Sequence, residues 1–144
     1  MDIVAQLRAG VTTRSATETQ QFANALAAAL PVDVALALHG NLGVGKTTFV
    51  QGLARGFGIP EPVTSPTFNI YTVHRGPART LVHLDAYRLD NAQQIENLLL
   101  EDFLVSPWCL AVEWPEKIDG FLPPTTWHLD LGIAADESHT VRLR

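Results

Sequence analysis

The chain has 144 residues, 47% of them hydrophobic, and a formal net charge of −5. That suits one globular domain with a real core. The acidic balance argues against a free-standing nucleic-acid binder, so any role near RNA is expected to run through a partner. No apolar run is long enough to span a membrane and the N-terminus lacks a signal-peptide pattern, which makes the cytoplasm the expected compartment. The single cysteine, Cys109, sits in an apolar run and reads as a buried thiol. The five histidines are scattered, none at i, i+4 spacing, so no zinc site is expected.

In chain order, residues 1–14 are mixed, with a short edge strand expected around Val11–Arg14. Ser15-Ala-Thr-Glu18 is a capping box. The helix behind it carries Phe22, Leu26 and Leu30 on one face and ends at Pro31. Its early turns could reach a nucleotide base or simply pack on the sheet. Val34–Leu38 is an apolar, partly β-branched run of the kind that fills a central parallel strand. Gly40, Gly45, Lys46 and Thr47 then fit G-x-x-x-x-G-K-[ST], and Phe49, Val50, Leu53 and Phe57 continue at helical spacing. Each position has a chemical reason. Backbone amides must turn inward around a polyphosphate, which glycine dihedrals allow, and the helix start adds its positive dipole end. The Lys46 ammonium reaches the outer phosphates and the Thr47 hydroxyl suits Mg²⁺.

After Gly56, Gly58 and Pro60 comes Pro62-Val-Thr-Ser-Pro-Thr-Phe-Asn-Ile-Tyr-Thr-Val-His74. Its hydroxyls have the place of a phosphate-sensing switch. Its alternation reads equally well as a turn entering a strand. Arg75-Gly-Pro-Ala-Arg79 is a hairpin turn. Thr80-Leu-Val-His-Leu-Asp85 is an apolar strand closing on an acid, the layout of a Walker B site. A helix is expected from Asp90-Asn91 through Ile95, Leu98 and Leu99 toward Asp102–Phe103. Cys109-Leu-Ala-Val-Glu113 is a second strand ending in an acid, followed by Trp114-Pro115. For either acid alone the alternative is a strand end facing solvent. Together they suit one sheet edge, one serving Mg²⁺ and the other the attacking water. Trp114 is either core or a cover for such a site. Thr126–Leu131, a polar turn at Ala134–Ser138 and a last strand through Val141 and Leu143 predict a hairpin. The expected architecture is a three-layer α/β P-loop NTPase domain over residues 1–144, with a mixed, partly parallel sheet.

Gly40-Asn-Leu-Gly-Val-Gly-Lys-Thr-Thr48, Ser65-Pro-Thr-Phe68, His83-Leu-Asp-Ala-Tyr-Arg-Leu89 and Val112-Glu-Trp-Pro115 resemble, in order and spacing, the TsaE family, the YjeE-type small bacterial P-loop ATPases. The resemblance implies an ATPase subunit that acts with TsaD and TsaB in threonylcarbamoyladenosine (t6A) modification of tRNA beside the anticodon. TsaD would perform the transfer, and tRNA would be met only through the complex. It also implies ATP and Mg²⁺ as ligands. ATP would be held by Asn41, Leu42, Gly43, Val44, Gly45, Lys46, Thr47 and Thr48. Thr47 and Glu113 would stand on the metal side and Asp85 would be the other acid. Ser65 and Thr67 would form the switch, Trp114 would lie near the nucleotide, and Thr19 would be where the first family helix approaches it.

Two positions depart from the family pattern. Asn41 stands where Asp is frequent, and Leu99 near where a glycine is frequent. No arginine finger is evident in cis; Arg88 is nearest by sequence, but a structural pairing is the expectation for it. Hydrolysis by the chain alone should therefore be slow and raised by partners. Other readings are a nucleotide-gated binding module and a small GTPase-like switch. For the latter, Glu116-Lys-Ile-Asp119 is a near miss of N-K-x-D and no D-x-x-G occurs. A small-molecule kinase would need an acceptor pocket and a lid, for which 144 residues leave little room.

Overall fold

The two apolar runs that end at the glycine loop and at Glu113 become neighbouring strands. In the computed structural model, which describes residues 2–66, 70–90, 92–96 and 98–144, the strands are β1 (Val11–Thr13), β2 (Val34–His39), β3 (Tyr71–Arg75), β4 (Thr80–Asp85), β5 (Trp108–Glu113), β6 (Trp127–Ile133) and β7 (His139–Leu143). They form one sheet in the order β1-β7-β6-β2-β5-β4-β3. The central four, β6, β2, β5 and β4, run parallel, and β1, β7 and β3 pair antiparallel at the flanks. Val34–Leu38 and Cys109–Glu113 are buried throughout, as strands covered on both faces must be. Both hairpins fall where the turn residues place them, β3–β4 around Gly76 and β6–β7 around residues 134–138.

Four helices cover the sheet among the described residues: α1 (Ile3–Ala9), α2 (Ala16–Ala27), α3 (Lys46–Gly56) and α4 (Ala92–Glu96). On one face α2 and α3 bury Leu26, Phe49, Val50, Leu53 and Phe57 against Leu36 and Leu38. On the other, Ile95, Leu100 and Ile118 close over Val82, Leu84 and Leu110. The Ser15 hydroxyl accepts from the Glu18 amide at 3.1 Å, and the Glu18 carboxylate reaches back to the Arg14 amide at 2.9 Å. Ser15 thus caps α2 where the pattern puts it, with the return bond going to the amide one residue before the cap. α2 and α3 meet through Gly52 and Gly56. A Cβ at Gly52 would lie 2.4 Å from the Gln20 carbonyl, and one at Gly56 2.4 Å from the Ala27 Cβ. The helix backbones therefore approach as closely as the missing side chains allow. Cys109 is fully buried, and burial pushes its thiol up to about 12.

Three features differ from expectation. α1 is a helix where the sequence shows only a mixed stretch; it buries a single large residue, Leu7, too little to leave a periodic stripe. β6 begins at Trp127, because Thr126 turns back with both its amide and its hydroxyl to Pro123 O. The helix expected from Asp90 to Phe103 is not continuous. Asn91 lies outside the described residues, α4 stops at Glu96, and a 3₁₀ turn follows at Leu100–Asp102. Ile95 and Leu100 are both fully buried in one cluster, yet five residues apart on a helix they would point well away from each other. The chain reverses at Leu99 instead, with φ 54°, in the left-handed region.

Leu99 is 60% exposed, so its side chain contributes little packing while its backbone carries the cost of a left-handed non-glycine residue, about 1–2 kcal/mol. Leu99→Gly is expected to stabilise the fold by about 0.5–1 kcal/mol after the extra freedom of glycine in the unfolded chain is offset. Urea unfolding checks this, and a lower midpoint for the variant would refute it.

Candidate functional site

The loop between β2 and α3 sets the floor of the site. Gly45 caps α3 in the left-handed conformation, φ 98°, which turns the first helical amides toward the cleft without a side-chain cap. Lys46 follows, only 5% exposed. Its Nζ donates to Gly40 O at 2.7 Å and lies 3.6 Å from the centroid of the Trp114 ring. Burial lowers the Lys46 pKa from its usual value, while Glu113, Glu116 and Asp85 pull it upward. Trp114 owes its position to a left-handed backbone, φ 59°, directly after β5. Its ring also packs on Tyr87, with centroids 5.1 Å apart, so it covers the site.

The two strand-end acids arrive side by side. Asp85 and Glu113 are register partners on β4 and β5. Thr47 Oγ1 donates to Glu113 Oε2 at 3.0 Å, and His83 Nε2 lies 2.6 Å from the same oxygen. Glu113 is 5% exposed. Burial acts to raise its pKa, but the hydrogen bonds from His83 and Thr47 and the charge of Lys46 outweigh it and hold the carboxyl below its usual range. Asp85 stays half-buried, its Oδ1 accepting from the Tyr87 amide at 3.0 Å. Leu42, Gly43, Gly45, Lys46, Thr47, Thr48, Ser65, Asp85, Glu113 and Trp114 line one cleft of about 340 Å³.

Most residues expected at the site meet there. Asn41 and Val44 belong to the loop but do not line the cleft; the Val44 carbonyl is tied to His139 Nδ1 at 3.0 Å. Thr19 is buried at the start of α2, its hydroxyl 2.6 Å from that of Thr13, and it too is absent from the cleft lining. Thr67 lies outside the described residues, as do Phe68 and Asn69 of the alternating stretch. Ser65 reaches the cleft. Arg88 is exposed, forms no ion pair among the described residues, and borders a small pocket with Asp85 and Tyr87. Sequence reasoning gave His83 no role. The signal was a histidine two residues before a strand-end acid, hence on the same strand face.

A buried parallel strand, a glycine loop and a helix start, with carboxylates on the next two strands of the sheet, define a P-loop NTPase fold of the α/β class. Residues 13–142 match the family model described as "Threonylcarbamoyl adenosine biosynthesis protein TsaE". The chain belongs to the TsaE family.

Curated relatives agree. A Treponema pallidum (strain Nichols) protein named tRNA threonylcarbamoyladenosine biosynthesis protein TsaE is 34% identical over 128 residues, covering 89% of this chain and 94% of its own. The Bacillus subtilis (strain 168) protein of the same name is 37% identical over 125 residues, covering 86% and 77%. Among solved structures, the crystal structure of Bacillus subtilis YdiB superposes with a TM-score of 0.77 at 31% identity, covering 93% of this chain and 82% of that one. Among the described residues no helix is long and apolar enough to cross a membrane.

Proposed function

We propose that this chain is the ATPase subunit of a tRNA t6A-modifying system. It binds ATP with Mg²⁺ in the cleft, hydrolyses it slowly by itself, and works with TsaD and TsaB homologues, which supply the transfer chemistry and the contact with tRNA. The observation that carries the reading is the convergence of Lys46 on the loop carbonyl of Gly40 and of Thr47 on Glu113 within one cleft. A hydroxyl and a carboxylate are hard oxygen donors, and Mg²⁺ is usually held by one or two protein carboxylates plus phosphates and water. Thr47 and Glu113 therefore suit it, even though no cluster of three or more His, Cys, Asp or Glu occurs among the described residues. When bound, the ion would neutralise charge on the outer phosphates. Asp85, whose Oδ1 accepts from the Tyr87 amide and whose other oxygen has no partner among the described residues, orients the attacking water.

Slow intrinsic turnover follows from what the cleft lacks. Among the described residues no arginine lines it, and an arginine that stabilises the transferring phosphoryl group contributes about 10³–10⁵ in rate. The net charge of −5 suits a subunit that meets tRNA only through its partners. The test is co-purification with TsaD and TsaB homologues, with and without ATP, alongside turnover of the chain alone and in the mixture. Association that depends on ATP and a raised turnover are expected. Neither association nor stimulation would overturn the proposal.

A further inference from the structure

Glu113 is held from behind by a side chain that cannot touch a nucleotide. His83 stands on β4 with its ring wholly buried. Its Nε2 lies 2.6 Å from Glu113 Oε2, the oxygen that also accepts the Thr47 hydroxyl. Its Nδ1 is buried and has no partner among the described residues. A neutral imidazole carries one N–H and one bare lone pair, and which nitrogen holds the hydrogen follows from its neighbours. On Nε2 the hydrogen meets a carboxylate. On Nδ1 it would be a sealed donor with no acceptor, while the Nε2 lone pair faced an anionic oxygen, a doubly unfavourable arrangement.

The geometry points to His83 as a positioning residue for Glu113: an Nε2–H imidazole that pins Oε2 beside Thr47 and leaves Oε1 as the oxygen free for the site. The assignment deepens the ATPase reading above and, for its kinetic part, rests on it. Glu113 ends β5, where the chain departs into the left-handed turn at Trp114. The three side-chain torsions of a glutamate would otherwise be free to rotate. Thr47 alone gives one anchor, from a hydroxyl that Mg²⁺ would also use. His83 gives a second anchor that no ligand competes for, because nothing in the cleft reaches it.

The test pairs His83→Gln with His83→Leu. Glutamine places an amide N–H at nearly the reach of Nε2; leucine fills the space with no donor. In the chain assembled with its partners, His83→Leu should lower kcat by about 10–100-fold, the usual cost of losing a partner that orients a ligand side chain, with KM for ATP nearly unchanged, since phosphate contacts remain. His83→Gln should restore most of kcat. Loss of packing alone would not be rescued by glutamine over the better-packing leucine. Separately, long-range ¹H–¹⁵N spectra of the wild-type chain without nucleotide should show the His83 hydrogen on Nε2 and a bare Nδ1. Equal losses in both variants, wild-type kcat in His83→Leu, or a hydrogen on Nδ1 would each overturn the assignment. The spectrum needs no ATP, so a wrong tautomer sinks the role of His83 and leaves the ATPase reading intact; a wild-type chain without turnover, alone or with partners, sinks that reading instead.

Discussion

Replacing Lys46 with alanine is expected to remove measurable ATP binding. The ammonium already lies over the loop, 2.7 Å from Gly40 O and 3.6 Å from the Trp114 ring centroid, and it has only to turn from a neutral carbonyl to phosphate oxygens. A hydrogen bond to a charged group contributes about 1.5–3 kcal/mol, and each 1.4 kcal/mol or so is a factor of about ten in affinity. Two such bonds to the outer phosphates put the loss at roughly a hundredfold or more. The fold should survive, because Glu113 keeps Thr47 and His83 and no buried charge is left without a partner. Calorimetry measures the affinity directly. Thermal unfolding gives a second reading, since a ligand at a hundred times its Kd adds about 2.7 kcal/mol to the wild-type chain and should add almost nothing to the variant. An affinity equal to wild type would remove Lys46 from the phosphate cradle.

Glu113→Gln should leave ATP binding and ATP-dependent association with the partners largely in place and cut turnover by at least the roughly 10–100-fold that follows the loss of a residue supporting a metal ligand. Glutamine is the informative change. Alanine would strip the acceptor from both the Thr47 hydroxyl and the buried His83 ring, at a stability cost of about 1–3 kcal/mol for each unsatisfied group, and loss of fold would then mimic loss of chemistry. Glutamine keeps the shape and one oxygen but gives up the negative charge that a metal–phosphate site needs. The same variant separates an ATPase from a protein in which nucleotide only controls docking: the former stops supporting tRNA modification while still associating, the latter continues to support it. Undiminished turnover in Glu113→Gln would take the acid out of the reaction.

What the sequence makes legible is local. β2, the glycine loop and α3 are contiguous, so their order, period and chemistry stand in one stretch of residues 34–56. The hairpins are legible for the same reason: Gly76 and Pro77 sit between the strands they join. The paired acids are visible as two strand ends, but their adjacency is not, because the register of Asp85 with Glu113 is set by the sheet. What stayed hidden is long-range. His83 meets Glu113 across 30 positions, His139 meets Val44 across 95, and His39 meets His128 across 89 at 2.8 Å. Histidines that look scattered along the chain are partners in space, and no spacing rule reports it. The reversal at Leu99 was hidden differently: leucine is a good helix former, and only the demand that Ile95 and Leu100 share one core overrides it.

The near-touching backbones of α2 and α3 bear on how the protein can work as a machine. With Gly52 and Gly56 pressed on Gln20, Asn24 and Ala27, the helix that begins with Lys46 and Thr47 sits as close to α2 as the two backbones allow. The floor of the cleft is braced against α2 by that contact. On the proposed ATPase reading, movement is expected at the opposite wall, where Ser65, Tyr87 and Trp114 sit on irregular chain, and a partner would take hold there.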